Sequence, residues 1–103
     1  MTKAKKGRQH TKTHKTVRDL EAIYRFGRRE WGREKSTQYL LHLEKCFERL
    51  AAMPESGPFR PEIGPGIRSF VHRAHVIYYR AERDLVEIVR VLHTAQDQKA
   101  QFS

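Results

Sequence analysis

His93 and Asp97 stand four residues apart at the end of the run "VEIVRVLHTAQD". A histidine titrates near neutrality and a carboxylate can orient its ring, so the pair has the composition of a general base and its support. The sequence places no serine or second carboxylate to complete a nucleophilic set, and Cys46 falls in an apolar helical stripe. The spacing itself fits one helical turn only if a helix follows the strand, which "TAQD" permits without requiring it. A structural strand end or a partner contact is therefore a stronger reading of the pair than catalysis.

Three arginines make a second constellation. Arg68, Arg80 and Arg90 each interrupt an otherwise apolar segment. Period-two alternation puts Arg80 on one face with Val76 and Tyr78, and Arg90 on one face with Val86 and Ile88. If all three converge away from the helices, they form a cationic patch among Tyr78, Tyr79 and His93. Such a patch would hold phosphate or a partner's carboxylates in forked geometry. The competing expectation is neutralisation of each arginine by Glu62, Glu82 or Glu87 across neighbouring strands. His10 with His14 and His72 with His75 have spacings a metal could use, but neither pair has a third ligand nearby in sequence. No metal and no other cofactor is expected.

Two helices and a sheet must position these groups. In "TVRDLEAIYRFGRREWG", Val17, Leu20, Ile23, Tyr24, Gly27 and Trp31 follow helical spacing, with Thr16 and Asp19 as a capping box and Gly32 as the stop. Trp31 beside that stop reads as packing or as an exposed aromatic anchor for a partner. A second helix begins near Glu34, carries Tyr39, Leu40, Leu43, Cys46, Phe47, Leu50 and Met53 on one stripe, and ends before Pro54. So short a break predicts an antiparallel helical hairpin. Four prolines and three glycines in residues 54–66 leave room for at most one short edge strand, around residues 59–63. After that the period changes, and β-branched and aromatic residues predict antiparallel strands at 67–72, 76–81 and 85–92. Helices first and strands after define an α+β domain, a helical hairpin on one face of a curved, mostly antiparallel sheet.

With 103 residues the chain has room for one domain. The formal charge of +9 is unevenly spread: residues 1–15 hold six Lys or Arg and no acid, while residues 16–103 hold fifteen basic against twelve acidic side chains. The folded part is thus only mildly basic, which argues against a dedicated nucleic-acid binder, direct contact through the basic N-terminal segment excepted. The expected organisation is a flexible basic segment at 1–15, a folded domain at 16–97 and a tail at 98–103. One cysteine excludes an internal disulfide and suits a reducing cytoplasm. No apolar run is long enough to span a bilayer, and no signal-peptide pattern follows the basic N-terminus, so a cytoplasmic protein without membrane contact is expected.

The blocks "DLEAIYRFGRREWG", "YLLHLEKCFERLAAMPESG" and "PGIRSFVHRAHVIYYRAERDLVEIVRVLHTAQD" together resemble the ParE toxins of the RelE/ParE superfamily of bacterial type II toxin–antitoxin systems. The resemblance runs from Val17 to Asp97. It implies a small α+β toxin held by a cognate ParD-like antitoxin, and for the ParE branch it implies inhibition of DNA gyrase by binding. Members of the family usually begin with a strand of the type Y-x-L-S-x-x-A. Here the aligned stretch is "HTKTHKT", with His10, Lys12 and Thr16 in place of Tyr, Leu and Ala. The apolar side chains that would bury the strand are missing, so weakened or absent pairing is expected there.

The resemblance gives a non-enzymatic toxin as the leading function. Arg90, His93 and Asp97 are then the candidate target contacts, and Tyr24, Trp31, Tyr39, Arg68 and Arg80 the candidate antitoxin contacts. The RelE branch supplies the alternative, a ribosome-dependent mRNA endoribonuclease, with Arg68, Arg80, Arg90 and His93 in the phosphate-stabilising and proton-moving roles. That branch would supply a late tyrosine where this chain has "HTAQD". A decayed toxin that only binds its antitoxin is the third reading, motivated by the unusual N-terminus.

Overall fold

A computed structural model describes residues 9–102. The order is β1 (Gln9–Lys12), α1 (His14–Trp31), α2 (Arg33–Ala52), a 3-10 turn (Pro54–Ser56), β2 (Ile67–His72), β3 (His75–Ala81), β4 (Leu85–His93) and a final 3-10 turn (Ala100–Phe102). The four strands form one sheet in the order β1-β4-β3-β2, with β1 parallel to β4 and the other pairs antiparallel. The helical hairpin and the antiparallel strands stand as the sequence pattern predicts.

The first strand is the main departure. Gln9 to Lys12 pair with Leu85 to Ile88, so the polar segment does join the sheet. Parallel pairing uses the backbone alone, and α2 receives the two inward side chains. The His10 ring lies 5.6 Å from the Phe47 ring, and Lys12 Nζ sits 5.5 Å over the same ring. Lys12 Nζ also donates to the Glu44 carboxylate at 3.2 Å. An aromatic face with a carboxylate beside it thus takes the place of apolar burial. Burial, followed by the neighbouring Lys12 charge, lowers the His10 pKa, so His10 enters the sheet neutral.

Strand pairing also moves the start of α1. Of the basic N-terminal segment, residues 1–8 lie outside the described residues, whereas residues 9–15 form β1 and the first turn of α1. The cap is Thr13, not Thr16: Thr13 Oγ1 accepts from Thr16 N at 3.0 Å and donates to Val89 O at 2.9 Å. Thr16 is fully buried and donates to Ile88 O at 2.8 Å. Asp19, the other half of the expected box, lies too deep in the helix to cap it and pairs elsewhere.

Gly27 and Gly32 shape the hairpin. A Cβ on Gly27 would lie 2.6 Å from Ser36 Oγ, which donates to Tyr24 O at 2.9 Å, so the missing side chain lets the helices approach. Gly32 joins the helices alone with φ +94° and ψ 164°, a region open essentially to glycine.

The main core lies between hairpin and sheet, built on Leu43, Phe47, Leu50, Ile77, Tyr79 and Ile88. Tyr79 OH donates to Pro54 O at 2.7 Å and accepts from Gly57 N at 2.9 Å, tying the Pro/Gly-rich connection to the sheet. That connection contributes the 3-10 turn and a single bridge, Phe59 to Arg68, in place of an edge strand. The opposite sheet face has a smaller core of Ile67, Val76, Tyr78 and Leu92. Phe102 closes it, its ring edge-on to Tyr78 at 5.0 Å, while Tyr78 OH donates to Gln98 Oε1 at 2.8 Å. Gln98 and Phe102 of the C-terminal tail thus pack against the sheet.

Candidate functional site

The three arginines do not converge. A bulge between Tyr78 and Tyr79 in the β3–β4 register leaves Val89 without an opposite residue, so Ile88 faces Tyr79 and Arg90 faces Tyr78. Arg90 therefore lies on the face opposite to Val86 and Ile88, against strict alternation. From there it grips Asp19 of α1 in a fork, Nε to Oδ2 at 2.8 Å and Nη2 to Oδ1 at 2.9 Å, while Nη1 donates to Gln101 O at 2.9 Å. Both side chains are 13% exposed. Val91 N donates to the same carboxylate at 3.0 Å, so Asp19 also satisfies an amide on the part of β4 that β1 does not reach. The hydrogen bonds to Asp19 hold the Arg90 pKa even higher than usual.

Arg80 pairs with Glu87 directly across the strands at 3.1 Å, the neutralisation weighed above. Arg68 sits opposite Tyr79, on the helix side of the sheet. It donates to Gly57 O at 2.7 Å and stacks on Phe59 with the guanidinium carbon 3.8 Å from the ring centroid. All three cations are engaged, in three different places.

His93 and Asp97 do not pair either, because the chain turns after β4 instead of continuing as a helix. His93 Nδ1 accepts from Ala95 N at 3.0 Å, and Gln96 Oε1 caps His93 N at 2.8 Å. The Asp97 carboxylate accepts from Ala100 N at 3.3 Å.

A ring cluster forms where the β2–β3 turn, the end of β4 and the helix turn meet. Tyr39 OH and His75 Nδ1 share a hydrogen bond at 2.6 Å, and the Tyr39 ring packs against Trp31, His72 and His75. His75 meets His93 edge-on at 5.4 Å. Burial, then the nearby His93 and His72, push the His75 pKa down to about 4, and burial raises that of Tyr39. His75 is therefore neutral near pH 7. The cluster borders a cavity of about 350 Å³ lined by Asp19, Ala22, Ile23, Phe26, Trp31, Ala74, His75, Val91, His93 and Gln96. A second cavity of about 540 Å³ shares Trp31, Ala74 and His75 and extends past Tyr39 to Lys35, His42 and Arg73. Tyr24 lies on a different face of α1, in a groove with Lys12, Val17, Leu20 and Leu40.

So Trp31, Tyr39 and His93 come together, Tyr24 stands apart, and the arginines are dispersed. Asp19 and His75 are the key residues that the sequence offered only in other roles, Asp19 as half of a capping box and His75 as half of a metal-spaced pair. For Asp19 a signal existed, since it lies three residues after Thr16 and four before Ile23, on the inward stripe of α1. Among the described residues no group of three or more His, Cys, Asp or Glu is placed to hold a metal ion, and no helix is long and apolar enough to cross a membrane.

Residues 12–98 match the family described as the ParE toxin of the type II toxin–antitoxin system parDE. The chain is 35% identical over 79 residues to Toxin ParE1 of Mycobacterium tuberculosis, covering 76% of this chain and 81% of that protein. Toxin ParE1 of Caulobacter vibrioides is 32% identical over 82 residues, covering 80% and 84%. Among solved structures, the chromosomal ParDE toxin–antitoxin system of P. aeruginosa aligns with a TM-score of 0.72 at 24% identity, over 84% of this chain and 95% of that one. The RelBE2 toxin–antitoxin complex of Mycobacterium tuberculosis aligns with a TM-score of 0.63 at 23% identity, over 87% and 94%. These two share the fold of this chain. On the sequence match, the chain belongs to the ParE toxin family of type II toxin–antitoxin systems.

Proposed function

We propose that this toxin acts in the cytoplasm by binding DNA gyrase, without chemistry of its own, and is held inactive by an acidic ParD-like antitoxin. The observation that carries the non-enzymatic reading is the commitment of Arg90. Its guanidinium is forked onto Asp19 and donates to Gln101 O, Arg68 and Arg80 are engaged elsewhere, and among the described residues no carboxylate orients His93. A ribonuclease needs cations free to meet a transferring phosphate, and these arginines would have to leave their partners to do so. Catalytic use of Arg68, Arg80, Arg90 and His93 is thus the weaker alternative. Primer extension on translated message tests it: intact message during growth arrest excludes RelE-type cleavage, and discrete cuts would overturn the binding mechanism.

The antitoxin surface follows from apolar exposure and charge. Val17 is 41% exposed and opens, with Tyr24 and Leu40, the groove between the helices. Lys12 and Arg25 line that groove too and suit a partner that alternates apolar and acidic residues. Arg68 and Arg80 would take further carboxylates along the sheet, Arg80 in exchange for Glu87. A supercoiling assay with purified toxin, with and without antitoxin, tests both partners.

A further inference from the structure

The two cavities around Trp31 lie outside the antitoxin groove, on another face of α1, and have a polarity of their own. The first is walled mainly by apolar atoms of Ile23, Phe26, Trp31 and Val91. Its one carboxylate, Asp19, is already neutralised by Arg90. The Phe26 and Trp31 rings stand edge-to-face at 6.2 Å, about half exposed at 50% and 49%. Two such aromatics left in solvent, held by each other and by Tyr39, have the character of interface anchors. A space of about 350 Å³ accommodates one bulky side chain.

The second cavity is cationic. Lys35 and Arg73 line it beside His42, with no carboxylate in the lining, and neither cation forms an ion pair among the described residues. Arg73 is the one described non-glycine residue with positive φ, +53°, at the exposed tip of the β2–β3 turn. Asn or Gly would occupy that conformation at lower cost. A charged side chain held there at some backbone expense, over a cavity without acids, points to an anionic partner.

We propose that the two cavities form one docking groove for the toxin's target, a polypeptide segment presenting a bulky apolar side chain next to carboxylates. The apolar side chain enters against Ile23, Phe26 and Trp31, and the carboxylates lie over Lys35 and Arg73. This deepens the target-binding function proposed above and rests on it, but it does not depend on the target being gyrase. It also gives the toxin separate faces for target and antitoxin.

The test uses the full chain with two lesions. Ala22→Trp fills the first cavity from an exposed helix position, and Lys35→Glu with Arg73→Glu reverses the charge of the second. Val17→Asp, in the antitoxin groove, is the control. Growth arrest on induction without antitoxin is measured in cells, and affinity for the antitoxin is measured by titration. The titration also confirms that the groove variants are folded, and retained arrest confirms it for Val17→Asp. The proposal expects both groove lesions to weaken arrest at least about tenfold in the dose required while antitoxin affinity stays within about threefold, with Val17→Asp doing the reverse. Full arrest by the groove variants overturns the proposal, and so does a comparable loss of antitoxin affinity, which would assign the groove to the antitoxin. If groove variants lose arrest but the wild type leaves gyrase untouched, the groove stands and the gyrase target falls.

Discussion

Arg90 and Asp19 show how a residue pattern that suggests catalysis can be used for architecture. The fork between them joins α1 to β4, and the same carboxylate satisfies Val91 N. Asp19→Asn keeps the size and loses the charge, leaving a guanidinium with little solvent access. The expected cost is about 2–4 kcal/mol in urea unfolding, far above that of an exposed pair. His75 provides a pH dependence with a definite sign. It is neutral when folded, with a pKa lowered to about 4 against an ordinary value of 6.5. Its contribution is therefore present above about pH 6.5 and is lost as pH falls through 4, by roughly 3 kcal/mol in all. The groups facing it, His72, His93, Tyr39 and the neighbouring Arg73, include no carboxylate to rescue the charged form. His75→Gln keeps a hydrogen-bonding partner for Tyr39 OH and should flatten the stability profile between pH 6.5 and 4. An unchanged acid limb would remove His75 from the account.

At the scale of elements, the helices and the three antiparallel strands were legible because each buries a periodic stripe, Leu43, Phe47 and Leu50 on α2 or Val86 and Ile88 on β4. β1 was not, because its pairing is a backbone property and its inward residues are His10 and Lys12, which need Phe47 and Glu44 from a distant helix. The placement of Arg90 was hidden for a related reason: alternation assumes an unbroken ladder, and the bulge opposite Tyr78 and Tyr79 reverses the faces beyond it. The hairpin turn makes a prediction on this scale. Gly27→Ala should push Ser36 Oγ off Tyr24 O, and Gly32→Ala should strain a backbone at φ +94°. Each is expected to lower stability by about 1–3 kcal/mol in chemical denaturation, and a neutral Gly27→Ala would mean that the helices have room to separate.

For the whole molecule, the charge of +9 is an association property more than a folding one. Binding of an acidic antitoxin should be salt-sensitive, its association rate falling several-fold between about 0.05 and 0.5 M NaCl as the Debye length shrinks. Stopped-flow mixing would show it, and a salt-independent rate would mean that apolar contacts alone direct the encounter. Sequence identified the toxin family and the fold class and offered Trp31, Tyr39 and His93 as separate candidates. Only the fold brings them to one groove, since they come from three elements that meet at the helix-turn end. The most direct measurement of the central claim is the yield of gyrase–DNA cleavage complexes on plasmid with purified toxin. The account predicts that supercoiling falls and protein-linked linear DNA accumulates as toxin is added, and that equimolar antitoxin abolishes both. Unimpaired supercoiling and no cleavage complexes at excess toxin would contradict it.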